Sequence, residues 1–388
     1  MPVNRDARLM TNQTPTQSPD VSGLAGFVMG GRLARIRNQS ILFGPSQQAL
    51  FALNDMGADI WRCLEDGLSP EAIASEIASR GINGHQAVEY VDAAIRQWER
   101  LGLIRLSPAW FATSSLDHVS QVVAVPGAHV RIVYPGAHAF PAASVFRHLE
   151  IGGAVADVVL ELVEHGQRIH LFRDRRWILS CSPDELAVVV KGQLLTEVLE
   201  RSTYELAVHS AALLQDDRIL LLCGSPGAGK TTLALGLVRA GFGFAGDDVT
   251  LLDSLGHGVG IPFAPAVKAG AWPILAEYYP ELDAVPVCRR PDRRRIRYLA
   301  PKEFVSPSPR KVGWIVLLRR RAGASAELVT VDPVDALRGL LNGSFSLGGE
   351  LTGTAFDLLT EIIRSADVFC LTYSRLPDAI ALLQKACR

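Results

Sequence analysis

The chain has little of what would place it outside a cell or in a bilayer. Its six cysteines (Cys63, Cys181, Cys223, Cys288, Cys370, Cys387) are scattered and form no CxxC pair. That spacing excludes the usual zinc pattern, argues against a disulfide framework and fits a reducing compartment. No apolar run reaches the ~18 residues a membrane span needs. The start, MPVNRDARLMTNQTPTQSPDVSG, lacks the apolar centre of a signal peptide. A cytoplasmic protein without membrane contact is therefore expected. Excess charge is missing too. The formal net charge of −1 gives no global attraction to nucleic acid. Apart from His209, the histidines show no metal-ligand spacing and read as surface or structural residues.

What remains is a globular composition. Over 388 residues, 48% are apolar and 20% charged, enough for a real core and for two or three domains. Residues 1–22, rich in Thr, Gln, Ser and Pro, read as a disordered tail. Residues 27–43 suggest two short strands around a turn. Three helices are expected next: Asn54–Leu64, a second opening at Ser69-Pro70-Glu71 with Ser69 as N-cap, and a third with Val88, Val91, Ala94, Ile95, Trp98 and Leu101 on one stripe. A closing strand over residues 102–106 completes a small winged-helix-like module at 23–108. A linker at 109–119 separates it from a domain at 120–388. There, strands such as VVAV, VRIVY and RIHLF precede a helix over Asp184–Glu200. A strand at Gly313–Leu318 and a last helix from Pro377 come later. Strands on both sides of a glycine-rich turn and helix indicate an α/β fold with a mixed sheet.

The apolar run Arg218–Cys223 ends in Gly224-Ser-Pro-Gly-Ala-Gly-Lys-Thr231, which fills every position of GxxxxGK[ST]. Glycines 224, 227 and 229 let the backbone amides of Ser225, Ala228 and their neighbours turn inward around phosphate oxygens. The helix that starts with Lys230, Thr231 and Thr232 adds the positive end of its dipole. Lys230 can reach the β- and γ-phosphates, and the Thr231 hydroxyl can ligate Mg²⁺. Beyond this loop, Gly246-Asp247-Asp248 sets two acids at the end of an apolar stretch, a position from which a carboxylate can serve metal or proton. Asp-Asp is also an ordinary solvated turn, and a lone His such as His209 is usually structural. The basic run Arg289–Arg297 could clamp phosphates through Arg297 or simply be solvated. Arg319–Arg321 reads as a solvated loop.

His209-Ser-Ala-Ala, the glycine-rich loop and Gly246-Asp247-Asp248 together resemble the catalytic domain of HPr kinase/phosphorylase, in particular the related enzymes of peptide biosynthetic clusters. The resemblance covers roughly residues 120–388 and is strongest at 205–253. It implies a P-loop mixed-sheet domain related to phosphoenolpyruvate carboxykinase, with ATP and Mg²⁺, acting on a serine hydroxyl. It further implies Asp247 as base, Asp248 near the metal with Thr231, and His209 tuning the acid pair. Where that family carries a Glu-containing signature, this chain has Ile261–Gly270 with Lys268 and no carboxylate. That departure counts against HPr as substrate and against the reverse phosphorolysis.

Residues 49–74, with Leu53-Asn54 before a helix and Gly67 after it, resemble the PqqD family. Its members bind the leader of ribosomally made precursor peptides by strand addition. The third expected helix sets Glu89, Asp92 and Glu99 beside Arg96 and Arg100, a poor footprint for DNA phosphates. The combined expectation is a two-module peptide serine (or threonine) kinase, and a homo-oligomer is compatible with the resemblance. A small-molecule kinase and a nucleotide-switched regulator without substrate phosphorylation are the alternatives.

Overall fold

The computed structural model describes residues 27–45, 47–68, 70–106, 118–165, 168–174, 176–345 and 351–388. The expected tail at 1–22, the N-cap Ser69 and residues 109–117 of the expected linker lie outside these. The chain divides into two compact units, Met1–Ala112 and Thr113–Arg388. Among the described residues no helix is long and apolar enough to cross a membrane.

In the first unit, β1 (Phe27–Met29) pairs antiparallel with β5 (Ile104–Leu106), and β2 (Arg32–Ile36), β3 (Gln39–Gly44) and β4 (Ala49–Leu53) form an antiparallel meander. The two strands expected over 27–43 are thus three, and β4 adds a fourth that runs straight into the first helix. Asn54 stops that strand. Its backbone is extended, and its side chain accepts from the Gly57 amide at 2.7 Å, capping α1 (Asp55–Glu65). Gly67, at φ +82°, turns the chain out of the helix end. Then come α2 (Pro70–Ser79) and α3 (Gly84–Arg100). Ala87, Val91, Ile95 and Trp98 of α3 are buried, whereas Val88 is 48% exposed. Val91, Ile95 and Trp98 of the stripe read in the sequence thus face inward, and Ala87 takes the place given to Val88. Trp98 meets Trp61 edge-to-face at 5.1 Å between ring centroids. Removing either ring would cost about 3–5 kcal/mol.

The second unit is a mixed α/β assembly. Its first layer is a five-stranded sheet in the order β10-β9-β8-β7-β6. The strands are β6 (His118–Val125), β7 (Ala128–Pro135), β8 (Val158–His165), β9 (Arg168–Arg173) and β10 (Arg176–Cys181). Residues 118–119 of the expected linker already belong to β6. The helices α4 (Gly136–Phe146) and α5 (Leu186–Arg201) share a core with this sheet. A capping box at Ser182 and Glu185 and a short turn at Pro183–Glu185 precede α5.

A larger sheet carries the glycine-rich loop. Its strands are β11 (Leu206–Val208), β12 (Ser210–Gln215), β13 (Arg218–Cys223), β14 (Gly243–Gly246), β15 (Thr250–Leu252) and β16 (His257–Gly260), joined later in the chain by β20 (Arg310–Arg320). The helix α6 (Lys230–Arg239) comes directly after β13 and its loop. Between β16 and β20, a three-stranded sheet is formed by β17 (Ala266–Lys268), β18 (Val287–Arg289) and β19 (Arg295–Tyr298), with the short α7 (Trp272–Leu275). The chain continues through β21 (Glu327–Thr330), α8 (Pro333–Leu341), β22 (Ser344–Phe345), α9 (Gly353–Ser365), β23 (Asp367–Tyr373) and α10 (Leu376–Ala386). Strand β20 runs parallel to β13 on one side and to β23 on the other. Their buried Leu, Val and Ile runs are those of strands covered on both faces. The carboxyl ends of β13, β20 and β23 consequently point the same way, the edge where open α/β sheets bind ligands.

Candidate active site

The loop Gly224–Gly229 leaves the carboxyl end of β13 and delivers the chain into α6. Gly227 and Gly229 hold φ of +91° and +97°, a region closed to most side chains. A Cβ on Gly229 would come within 2.6 Å of the Tyr373 hydroxyl and 3.9 Å of Arg320 Cδ, so glycine is required by both conformation and space. The Ala228 amide bonds to Ser225 O at 3.1 Å and the Tyr373 hydroxyl to Ala228 O at 3.4 Å, which fixes the loop. Gly229 caps α6 without a side-chain acceptor. The helix therefore presents first-turn amides, including those of Thr231 and Thr232, and its positive dipole end. Lys230 is buried and curls back, its Nζ donating to Gly224 O at 2.7 Å. Burial, more than any neighbouring charge, lowers its pKa.

The acid pair comes from the turn between β14 and β15. A Cβ on Gly246 would lie 2.6 Å from Ile261 O, so only glycine lets β14 run this close to the Ile261 backbone. Asp248 adopts φ +78°, strained for a residue with a side chain, and the two adjacent carboxylates are sent to different partners. Thr231 Oγ1 donates to Asp247 Oδ2 at 2.9 Å, while Lys191 Nζ on α5 donates to Asp248 Oδ2 at 2.6 Å. Oδ1 of Asp247 is buried with no hydrogen-bond partner.

The electrostatics separate the two acids. Burial, then repulsion from Asp248, pushes Asp247 up to about 7. Lys191 holds Asp248 below the usual carboxylate range, with Arg290 acting in the same direction. His209 Nδ1 lies 2.7 Å from the Asp248 backbone oxygen, so Nδ1 carries the proton and Nε2 its lone pair. Burial and the Lys230 charge lower the His209 pKa and keep the ring neutral. Lys268, at the end of β17, is near enough for its charge to depress both His209 and Lys230.

The structure thus brings Lys230, Thr231, Asp247, Asp248 and His209 together. Arg297 is otherwise engaged, with Nη1 on Asp283 at 2.6 Å and its guanidinium 4.2 Å from the Trp272 ring centroid. Strand β19 commits it to its own sheet. One residue of the site escaped the sequence reading: Lys191 lies on an apolar helix far from the motifs.

Among the described residues no cluster of three or more His, Cys, Asp or Glu could hold a metal on its own. Mg²⁺ needs no such cluster, because phosphate oxygens and water complete its octahedron around one or two carboxylates. The Thr231 hydroxyl and the half-exposed Asp248 carboxylate beside it in the site fit a nucleotide-borne Mg²⁺.

Residues 39–104 match the PqqD family. The family is described as coenzyme PQQ synthesis protein D, and the match runs from β3 to the start of β5. No curated protein matches the chain. A solved structure, the HPr(Ser) kinase/phosphatase from Coxiella burnetii, is similar at 14% identity over 46% of this chain and 93% of that one, with a TM-score of 0.23. So loose a likeness carries nothing about the site, which rests on its own geometry.

Proposed function

We propose that the chain is an ATP- and Mg²⁺-dependent kinase that phosphorylates a Ser or Thr hydroxyl of a ribosomally made precursor peptide held by its PqqD segment. The observation that carries this reading is the buried, unpartnered Oδ1 of Asp247, set beside the Thr231 hydroxyl at the mouth of the glycine-rich loop. A buried acceptor without a donor calls for a partner. In a site built for phosphates, that partner is the acceptor hydroxyl.

In this reading the amides of Ser225 to Thr232 and the Lys230 ammonium bind the β- and γ-phosphates. Thr231 and Asp248 would hold Mg²⁺, which would supply neutralising charge to the phosphates during transfer. Asp247, with its pKa of about 7, removes the proton as the hydroxyl oxygen attacks the γ-phosphorus. A new O–P bond forms, the bond to the β–γ bridging oxygen breaks, and ADP leaves with that electron pair. Asp248 stays ionised and keeps Asp247 basic. Neutral His209 props the turn that presents both.

The PqqD segment supports a peptide rather than a small molecule as acceptor. Tethering a leader raises the local concentration of a flexible core peptide at the site. The test is to incubate the full chain with Mg-ATP and a candidate precursor peptide and read the product by mass spectrometry. One added phosphate on a Ser or Thr of the core, lost with Lys230→Ala, is expected. ATP turnover indifferent to peptide, with no phosphopeptide formed, would sink the reading.

A further inference from the structure

The structure assigns Lys191 as the positioning residue of the acid pair: its ammonium fixes the Asp248 carboxylate, and through it the placement of Asp247, for phosphoryl transfer. This rests on the kinase reading above and goes beyond it, because nothing in the motifs points to α5.

Three observations converge. Lys191 sits on a helix that packs Leu186, Val190, Leu194 and Val198 into the core, and only 10% of its side chain is exposed. Its ammonium lies 5.9 and 5.7 Å from the ring centroids of Phe263 and Tyr298. An ammonium so enclosed is costly, and a hydrophobic side chain of similar length would serve packing as well or better. Its hydrogen-bond partner, Asp248 Oδ2 at 2.6 Å, is itself held at φ +78°. A buried cation and a strained backbone meeting at one carboxylate mark a position kept for chemistry rather than for stability.

The contact is also one-sided. Asp248 keeps 44% of its side chain exposed. Losing the ammonium would therefore leave a solvated carboxylate and not a stranded buried charge, so stability has little to lose. Orientation has more. With one oxygen pinned by Lys191, the carboxylate keeps one orientation, and the base beside it keeps its line to the acceptor. The third member of such an arrangement orients the groups that react.

The test uses the full chain with Lys191→Met, Asp248→Asn and the double variant. It reads kcat and KM for peptide, ATP affinity by calorimetry, and melting temperature. Lys191→Met is expected to keep its melting temperature and its ATP affinity while kcat falls roughly 100-fold, the cost of a misplaced reacting group. In the Asp248→Asn background, removing Lys191 is expected to cost nothing further, since it acts only through that carboxylate. Full activity in Lys191→Met, additive losses in the double variant, or a loss explained by a lowered melting temperature would each overturn the assignment and leave the kinase reading standing. A wild-type chain without transfer would overturn both.

Discussion

Asp247 is 2% exposed and stands beside Asp248, so its ionised form is disfavoured by burial and by repulsion, and its pKa rises from 3.8 to about 7. Between those values the native state holds a proton that the unfolded chain has released. Stability therefore falls as pH rises through that window and is level above it. Asp247→Asn removes the conflict. Its melting temperature should exceed that of wild type by at least about 2 °C at neutral pH, and the two should converge near pH 4. Parallel melting curves across the range would contradict this account. Gly229 offers a second test at the same scale. In Gly229→Ala the new methyl meets Tyr373 at 2.6 Å in a backbone with φ +97°, and nucleotide affinity should drop at least ~10-fold in a fluorescent-nucleotide titration. Adding Tyr373→Phe relieves the clash but not the backbone strain, so part of the affinity should return. No recovery would mean the contact is not the cause.

At the scale of elements, the described α1 depends on a single side chain for its start. Asn54→Ala should weaken it by about 1 kcal/mol, seen as faster amide hydrogen exchange across Asp55–Glu65 with the second unit unaffected. Unchanged protection there would show that tertiary packing alone holds the helix. The sequence began this helix at Asn54 itself, and the structure makes that residue the cap. The loop and the acid pair stood out as short contiguous patterns, whereas His209 did so only through the resemblance. Strand β4 did not stand out, since Ala49–Leu53 passes from strand to helix with only Asn54 between. In α3 the periodicity found Val91, Ile95 and Trp98 but put Val88 inward where Ala87 is buried. Lys191 lies 57 residues from Asp248 and carries no pattern of its own. Only the approach of α5 to the turn after β14 makes it visible. Arg297 looked like a phosphate ligand because a basic run shows charge but not the ring and carboxylate that occupy it.

For the whole molecule, the division into Met1–Ala112 and Thr113–Arg388 separates capture from chemistry in the proposed function. A chain reduced to residues 113–388 should bind ATP like the full chain and phosphorylate a leader-bearing peptide with KM raised at least ~10-fold, because the tether is gone. Equal KM values for leader-bearing and leaderless peptides in the full chain would remove the capture role. The second unit, however, is not modular in time. Its loop and helix are braced by residues far along the chain: the Tyr373 hydroxyl on Ala228 O, 145 positions on, and Gln384 Nε2 on Ala240 O at 2.9 Å. Ile380 packs where a side chain on Gly236 would otherwise go. On the ribosome, the phosphate-binding segment leaves the exit tunnel long before the strand and helix that hold it in shape. Contacts this distant in sequence form late. A stalled nascent chain should acquire the ability to be retained by immobilised nucleotide only after residues 367–386 have emerged, so that an incomplete copy would leave cellular ATP alone.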